Sequence, residues 1–176
     1  MNLGRLFAPR PAVLAGRRLY AAAVAQARQP AFYERLGAAD TVESRFELYT
    51  LHVVLMLWRF KRQGPQAAET SQALFDAYVR GLDDALREMG VGDLSVGKKM
   101  RKLGEAFYGR VKSYDRALDA LPDRAELSEV IARRFAPEGG DCAALTDYAA
   151  RAKLALTNEP LTAFFNGEVL WPTIVE

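Results

Sequence analysis

The chain has 176 residues, half of them hydrophobic and 26% charged, which is the composition of one folded domain and excludes intrinsic disorder. One cysteine (Cys142) and one histidine (His52) exclude a disulfide framework, a cysteine-rich zinc site and a cysteine–histidine dyad with a histidine to spare. The net charge of +2 hides two basic zones: residues 1–33 carry five arginines and no acid, and residues 98–116 carry seven bases against two acids. Such zones point to local contact with an anionic surface, the plain alternative being solvated helix faces.

Along the chain, residues 1–10 read as a basic arm. They are arginine-rich like a mitochondrial presequence, but they contain no serine, and Pro9 and Pro11 interrupt any amphipathic period. No apolar core followed by a small-residue cleavage site marks a secretory signal. Pro11 suits the first turn of a helix, and Gln29-Pro30 ends that helix near residue 29. Asp40-Thr41-Val42-Glu43 predicts an N-cap at Asp40 answered by Glu43, opening a helix over 41–63. Its apolar run from Phe46 to Phe60 is shorter than the ~20 residues that span a bilayer, so it reads as a buried helix.

Gly64-Pro65 separates the next helix, whose Leu74, Tyr78, Leu82, Ala85 and Met89 recur at helical spacing. Gly90 to Asp93 closes it. From Met100 the same period runs through Leu103, Phe107, Val111, Tyr114 and Leu118. Leu121-Pro122, Gly139-Gly140-Asp141 and Asn158-Glu159-Pro160 divide the remainder into further helices. Val169 to Val175 is apolar but short and contains Pro172, and no segment alternates as a half-buried strand does. Residues 11–176 are therefore expected to form one compact all-α domain of six to eight helices. Short loops predict successive, mostly antiparallel neighbours.

Gly92-Asp93-Leu94-Ser95-Val96-Gly97-Lys98 satisfies a phosphate-loop spacing, but Lys99 follows where Ser or Thr should hold magnesium, and no strand precedes it. Its glycines are better read as a helix C-cap and the entry to the next helix, with Asp93 or Ser95 as cap. His52 has no ligand-type partner at helical spacing and reads as a core histidine. Cys142, beside Asp141 at an expected helix start, reads as packing. Asp83-Asp84 lacks a second acidic cluster and reads as a solvated face. No catalytic constellation, metal site or cofactor site emerges. What stands out is aromatic residues interleaved with bases: Phe107, Tyr108 and Tyr114 among Lys98, Lys99, Arg101 and Lys102, and Trp58 and Phe60 among Arg59, Lys61 and Arg62. The competing reading places Phe107 and Tyr114 in the core.

The stretches Val24 to Tyr33, Arg45 to Leu48, Leu51 to Val53 and Gln72 to Ala77 are similar to the ubiquinol–cytochrome c chaperone family. Above all, Leu86-Arg87-Glu88-Met89-Gly90-Val91-Gly92-Asp93-Leu94-Ser95-Val96-Gly97-Lys98-Lys99-Met100, followed by Glu105 to Arg110, resembles that family. The resemblance implies a non-enzymatic assembly chaperone that binds newly made cytochrome b and promotes assembly of the cytochrome bc complex, with no nucleotide and no DNA partner. An anionic membrane surface and the ribosome join the expected partners. Without a long N-terminal extension, the chain looks like a bacterial version, cytoplasmic and peripheral to the inner membrane. The expected contact residues are Trp58, Asp93, Lys98, Lys99, Arg101, Lys102, Phe107, Tyr108 and Tyr114. A basic RNA- or ribosome-binding module is the main rival, and a helical isoprenoid-type enzyme the third option.

Overall fold

The computed structural model describes residues 10–136 and 138–174, so the arm expected over residues 1–10 lies, apart from Arg10, outside the described residues. Eight helices and no strand are present among the described residues: α1 Pro11–Ala27, α2 Ala31–Glu34, α3 Val42–Phe60, α4 Pro65–Glu88, α5 Asp93–Asp119, α6 Ala125–Phe135, α7 Ala143–Asn158 and α8 Leu161–Phe165. The all-α architecture follows from the periodicity. Pro11 and Pro65 each occupy a first turn, where a missing N–H leaves no bond unmade.

The cap of α3 is Thr41 rather than Asp40: Thr41 Oγ1 accepts from the Ser44 N–H at 3.2 Å, while Asp40 pairs with Arg45 at 2.6 Å. A carboxylate with a guanidinium in reach is drawn to it, leaving the amide to the next hydroxyl along. At the end of α4, Gly90 takes a φ of 78°, its N–H donating to Arg87 O at 2.9 Å while Val91 N–H donates to Leu86 O at 3.0 Å. This double closure needs a left-handed residue, which glycine supplies without strain. Gly92, not Asp93 or Ser95, occupies the cap position of α5, with no side-chain cap bond.

α3 is the central helix. Eleven of its side chains are buried, all around its circumference in the middle turns, and it touches α1, α4, α5, α6 and α7. From α3 to α7 successive helices pack on one another, yet the most extensive contact is α1 on α4, which are not adjacent in the chain. Small residues make it possible. The buried face of α1 is Ala15, Gly16, Leu19, Ala23 and Ala27, and a Cβ built on Gly16 would lie 2.5 Å from the Ala73 carbonyl carbon. The backbones meet there.

His52 sits in the middle of α3, fully buried. Its Nδ1 lies 2.7 Å from Leu48 O, and a carbonyl only accepts, so Nδ1 carries the proton. Nε2 then accepts from the Tyr148 hydroxyl at 2.9 Å, and Tyr148 in turn accepts from Gln26 Nε2 at 3.1 Å. Phe32 and Trp171 meet the imidazole edge-on at 5.4 and 4.8 Å. Burial lowers the His52 pKa to about 4, so it is a neutral packing residue that ties α1, α3 and α7 together.

Candidate functional site

α5 is 27 residues long, and only its C-terminal part is built into the core. Phe107, Tyr114, Ala117 and Leu118 are buried there, whereas among the described residues the first half contributes only Val96. Its partner α4 behaves the same way in reverse, with Leu74, Ala77 and Tyr78 buried and everything after Tyr78 half-buried or exposed. The distal part of the α4–α5 hairpin therefore projects beyond the core. Leu86, Val91, Met100 and Leu103 are half-buried on it and stand apart from the core cluster, and Met89 at the turn is 63% exposed.

The outer side of α5 is cationic. Lys98, Arg101, Lys102, Glu105, Tyr108, Gly109 and Lys112 recur at three- and four-residue steps, and all are exposed. Lys99 flanks them. No ion pair engages Lys98, Lys99, Arg101, Lys102 or Lys112 among the described residues. Tyr108, at 68% exposure, is the one large aromatic among the exposed hydrophobics. Asp93 opens the helix, exposed and paired with Arg87, where a carboxylate also complements the helix dipole.

Phe107 and Tyr114 are placed elsewhere. Phe107 packs 5.3 Å from the Phe75 ring and 4.9 Å from Tyr78, and Tyr114 is fully buried. Both fall on the inward stripe of α5, so neither offers its ring at the surface.

Trp58 is separated from the basic cluster. It donates from Nε1 to Asp119 Oδ1 at 2.8 Å, at the far end of α5, about 26 Å along the helix from Lys102 at 1.5 Å per residue. Two of its neighbouring cations, Lys61 and Arg59, are engaged, while Arg62 is exposed with no ion pair among the described residues. Lys61 Nζ reaches Asp115 at 2.7 Å and Asp119 at 3.3 Å, and those bonds hold its pKa above the ordinary value. Arg59 donates to Leu156 O at 2.7 Å and Glu159 O at 3.1 Å, closing the C-terminal end of α7. Phe60 is buried. A cleft of about 380 Å³ lies beside Trp58, lined by Val54, Leu57, Phe60 and Val111. A second, polar cleft of about 660 Å³ lies between Arg28, Tyr33, Asp40, Arg45 and Tyr49, where Arg28 Nε donates to the Tyr49 hydroxyl at 3.1 Å.

The remaining chemical candidates resolve as structural residues. Gly97 and Lys98 lie inside the first two turns of α5, with no loop between helix start and lysine to wrap a phosphate. Cys142 is buried at the start of α7, and burial, then Asp141, raise its thiol pKa. Asp83 pairs with Arg87 at 2.7 Å. Among the described residues no three acidic, histidine or cysteine side chains converge as a metal site, and no helix is long and apolar enough to cross a membrane. Lys112 joins the exposed face although the clustering at 98–102 does not single it out; continuing the i, i+3, i+4 steps from Lys98 finds it.

Residues 34–171 match the family described as Ubiquinol-cytochrome C chaperone. The chain is 24% identical over 168 residues to "Ubiquinol-cytochrome-c reductase complex assembly factor 1" of Xenopus laevis, covering 93% of this chain and 83% of that protein. It is 26% identical over 122 residues to the Mus musculus protein of the same description, covering 69% of this chain and 41% of that one. The crystal structure of the Cbp3 homolog from Brucella abortus superposes with a TM-score of 0.82 at 32% identity, covering 92% of this chain and 90% of that one.

Proposed function

The chain belongs to the ubiquinol–cytochrome C chaperone family, and from that premise we propose that it is a non-enzymatic assembly factor of ubiquinol–cytochrome c reductase whose client is newly made cytochrome b. Cytochrome b is a bundle of apolar helices that exposes hydrophobic surface until it packs with haem and partner subunits. A protein that covers such surface needs apolar side chains of its own that are not already committed to a core. The observation that carries the reading is the projecting α4–α5 hairpin, where Leu86, Met89, Val91, Met100 and Leu103 stand apart from the core cluster. Its work is peripheral to the membrane, since the client is integral to it.

Site-specific photo-crosslinking in cells that make cytochrome b tests this. A crosslinker at Met89 or Val91, at the turn of the hairpin, is expected to capture cytochrome b, and one at Leu154 on α7, 59% exposed, is not. Capture from neither hairpin position, or equally from Leu154, would remove the hairpin as the client surface.

A further inference from the structure

We propose that the outer face of α5 is a docking surface for an anionic lipid bilayer, distinct from the apolar surface of the same hairpin that meets the client. This rests on the assembly-factor reading. Lys98, Arg101, Lys102 and Lys112 project from one side of one helix, over about 21 Å from first to last. Lys99 lies at their flank. One acid, Glu105, falls among them, and none of the five bases is taken up by an ion pair among the described residues.

Elsewhere the bases are either paired or, like Arg17, Arg62, Arg80 and Arg133, spread over separate elements and not gathered on one face. Arg45, Lys61, Arg87, Arg110, Arg116 and Arg124 each have a carboxylate partner. Five free bases on one exposed helix face thus mark a local positive field on a nearly neutral protein.

Three features favour a bilayer over a nucleic acid. Four of the five bases are lysines, compact hydrated charges suited to a diffuse headgroup layer, where a phosphate-and-base reader draws on the forked geometry of arginine. The face is open: a Cβ at Gly97, Gly104 or Gly109 would meet nothing within 4 Å, so no neighbouring element walls a groove there for a strand. It carries a single exposed ring, Tyr108, which suits an interfacial anchor and is too few for successive base stacking.

The test is co-sedimentation of the full chain with vesicles of phosphatidylcholine alone or with 30% phosphatidylglycerol, at about 0.05 and 0.5 M salt, where screening lengths differ severalfold. Binding is expected only to the anionic vesicles and only at low salt. Each base near the surface multiplies partitioning about fivefold, so Lys98→Gln with Lys102→Gln is expected to lower it about 25-fold. Arg17→Gln with Arg133→Gln, the same charge change at exposed positions on α1 and α6, is expected to lower it less than about twofold. Unchanged melting temperatures keep the comparison free of folding defects.

Equal losses in the two double variants, or no binding to anionic vesicles, overturn the proposal. So does lysine-dependent binding to poly(U) RNA without vesicle binding, which assigns the face to RNA. Capture of cytochrome b from Met89 by a chain that ignores vesicles sinks the lipid surface alone; vesicle binding without any capture sinks the client reading alone.

Discussion

Arg110 of α5 closes its guanidinium on the carboxylate of Glu47 in α3: Nε lies 3.0 and 2.9 Å from the two oxygens, and Nη2 contacts Oε1 as well. The pair is nearly dry, its side chains 13% and 7% exposed. The guanidinium also lies over the Phe46 ring at 5.0 Å. Set between the buried Phe107 and Tyr114, this contact pins the core-packed part of α5 to α3.

Removing one partner strands the other charge in a buried site, a change that costs about 3–5 kcal/mol. Glu47→Ala and Arg110→Ala are each expected to lose stability of that order in denaturant melts. Glu47→Met combined with Arg110→Met is expected to recover most of it, because two apolar side chains of similar volume need no desolvation. A double variant as unstable as the singles would contradict this account.

His52 gives the pH dependence. Its folded pKa of about 4 lies below the ordinary 6.5, so the unfolded chain binds the extra proton between these values. The contribution is fully present above pH 6.5 and is lost as pH falls toward 4, by about 3 kcal/mol at most. As the only histidine in the chain, its imidazole resonance is uniquely assigned. NMR titration of the native protein is expected to show no protonation above pH 5, and His52→Gln to lack that part of the acid slope. A native imidazole titrating near 6.5 would refute the buried, neutral assignment.

The α1–α4 contact separates two glycines that look alike in sequence. At Gly16 a methyl group would lie 2.5 Å from the Ala73 carbonyl carbon and 2.6 Å from Leu74 N, both backbone. At Gly81 the obstruction is the outer end of the Tyr20 side chain, its hydroxyl and the ring atoms beside it, which can shift where a backbone cannot. Gly16→Ala is expected to cost about 3 kcal/mol, the upper end of overpacking penalties, and Gly81→Ala about 1 kcal/mol or less. Comparable thermal shifts for the two would argue against backbone contact at Gly16.

Cys142 is 6% exposed, with its thiol pushed toward the protonated form by burial. The native chain is expected to react with a thiol reagent only through opening of α7, so that labelling accelerates with denaturant in step with unfolding. Rapid stoichiometric labelling of the native protein would show the site to be open.

Much of the architecture was legible locally. Apolar residues at steps of three and four, prolines in first turns and glycines after last turns delimit each helix, because these preferences act within a few residues. The same period offers an inward stripe for Phe107 and Tyr114, the reading that competed with their expected contact role and that their burial favours, and the lack of ligand-type neighbours marks His52 as a packing residue. The α3 cap moved by one residue because Arg45, within the same turn, competes for Asp40.

Which surface residues are free to act was decided by the tertiary structure. Lys61 and Lys98 are equivalent as letters beside aromatic residues, yet Lys61 is bound by Asp115 and Asp119, more than 50 positions later, while Lys98 has no such partner. Trp58 and the basic cluster belong to one chemistry in the sequence and to opposite ends of α5 in space. Helical periodicity orients a side chain about its own axis; the carboxylate that neutralises it, or the backbone that approaches within contact of a glycine, arrives from a distant segment that only packing brings near.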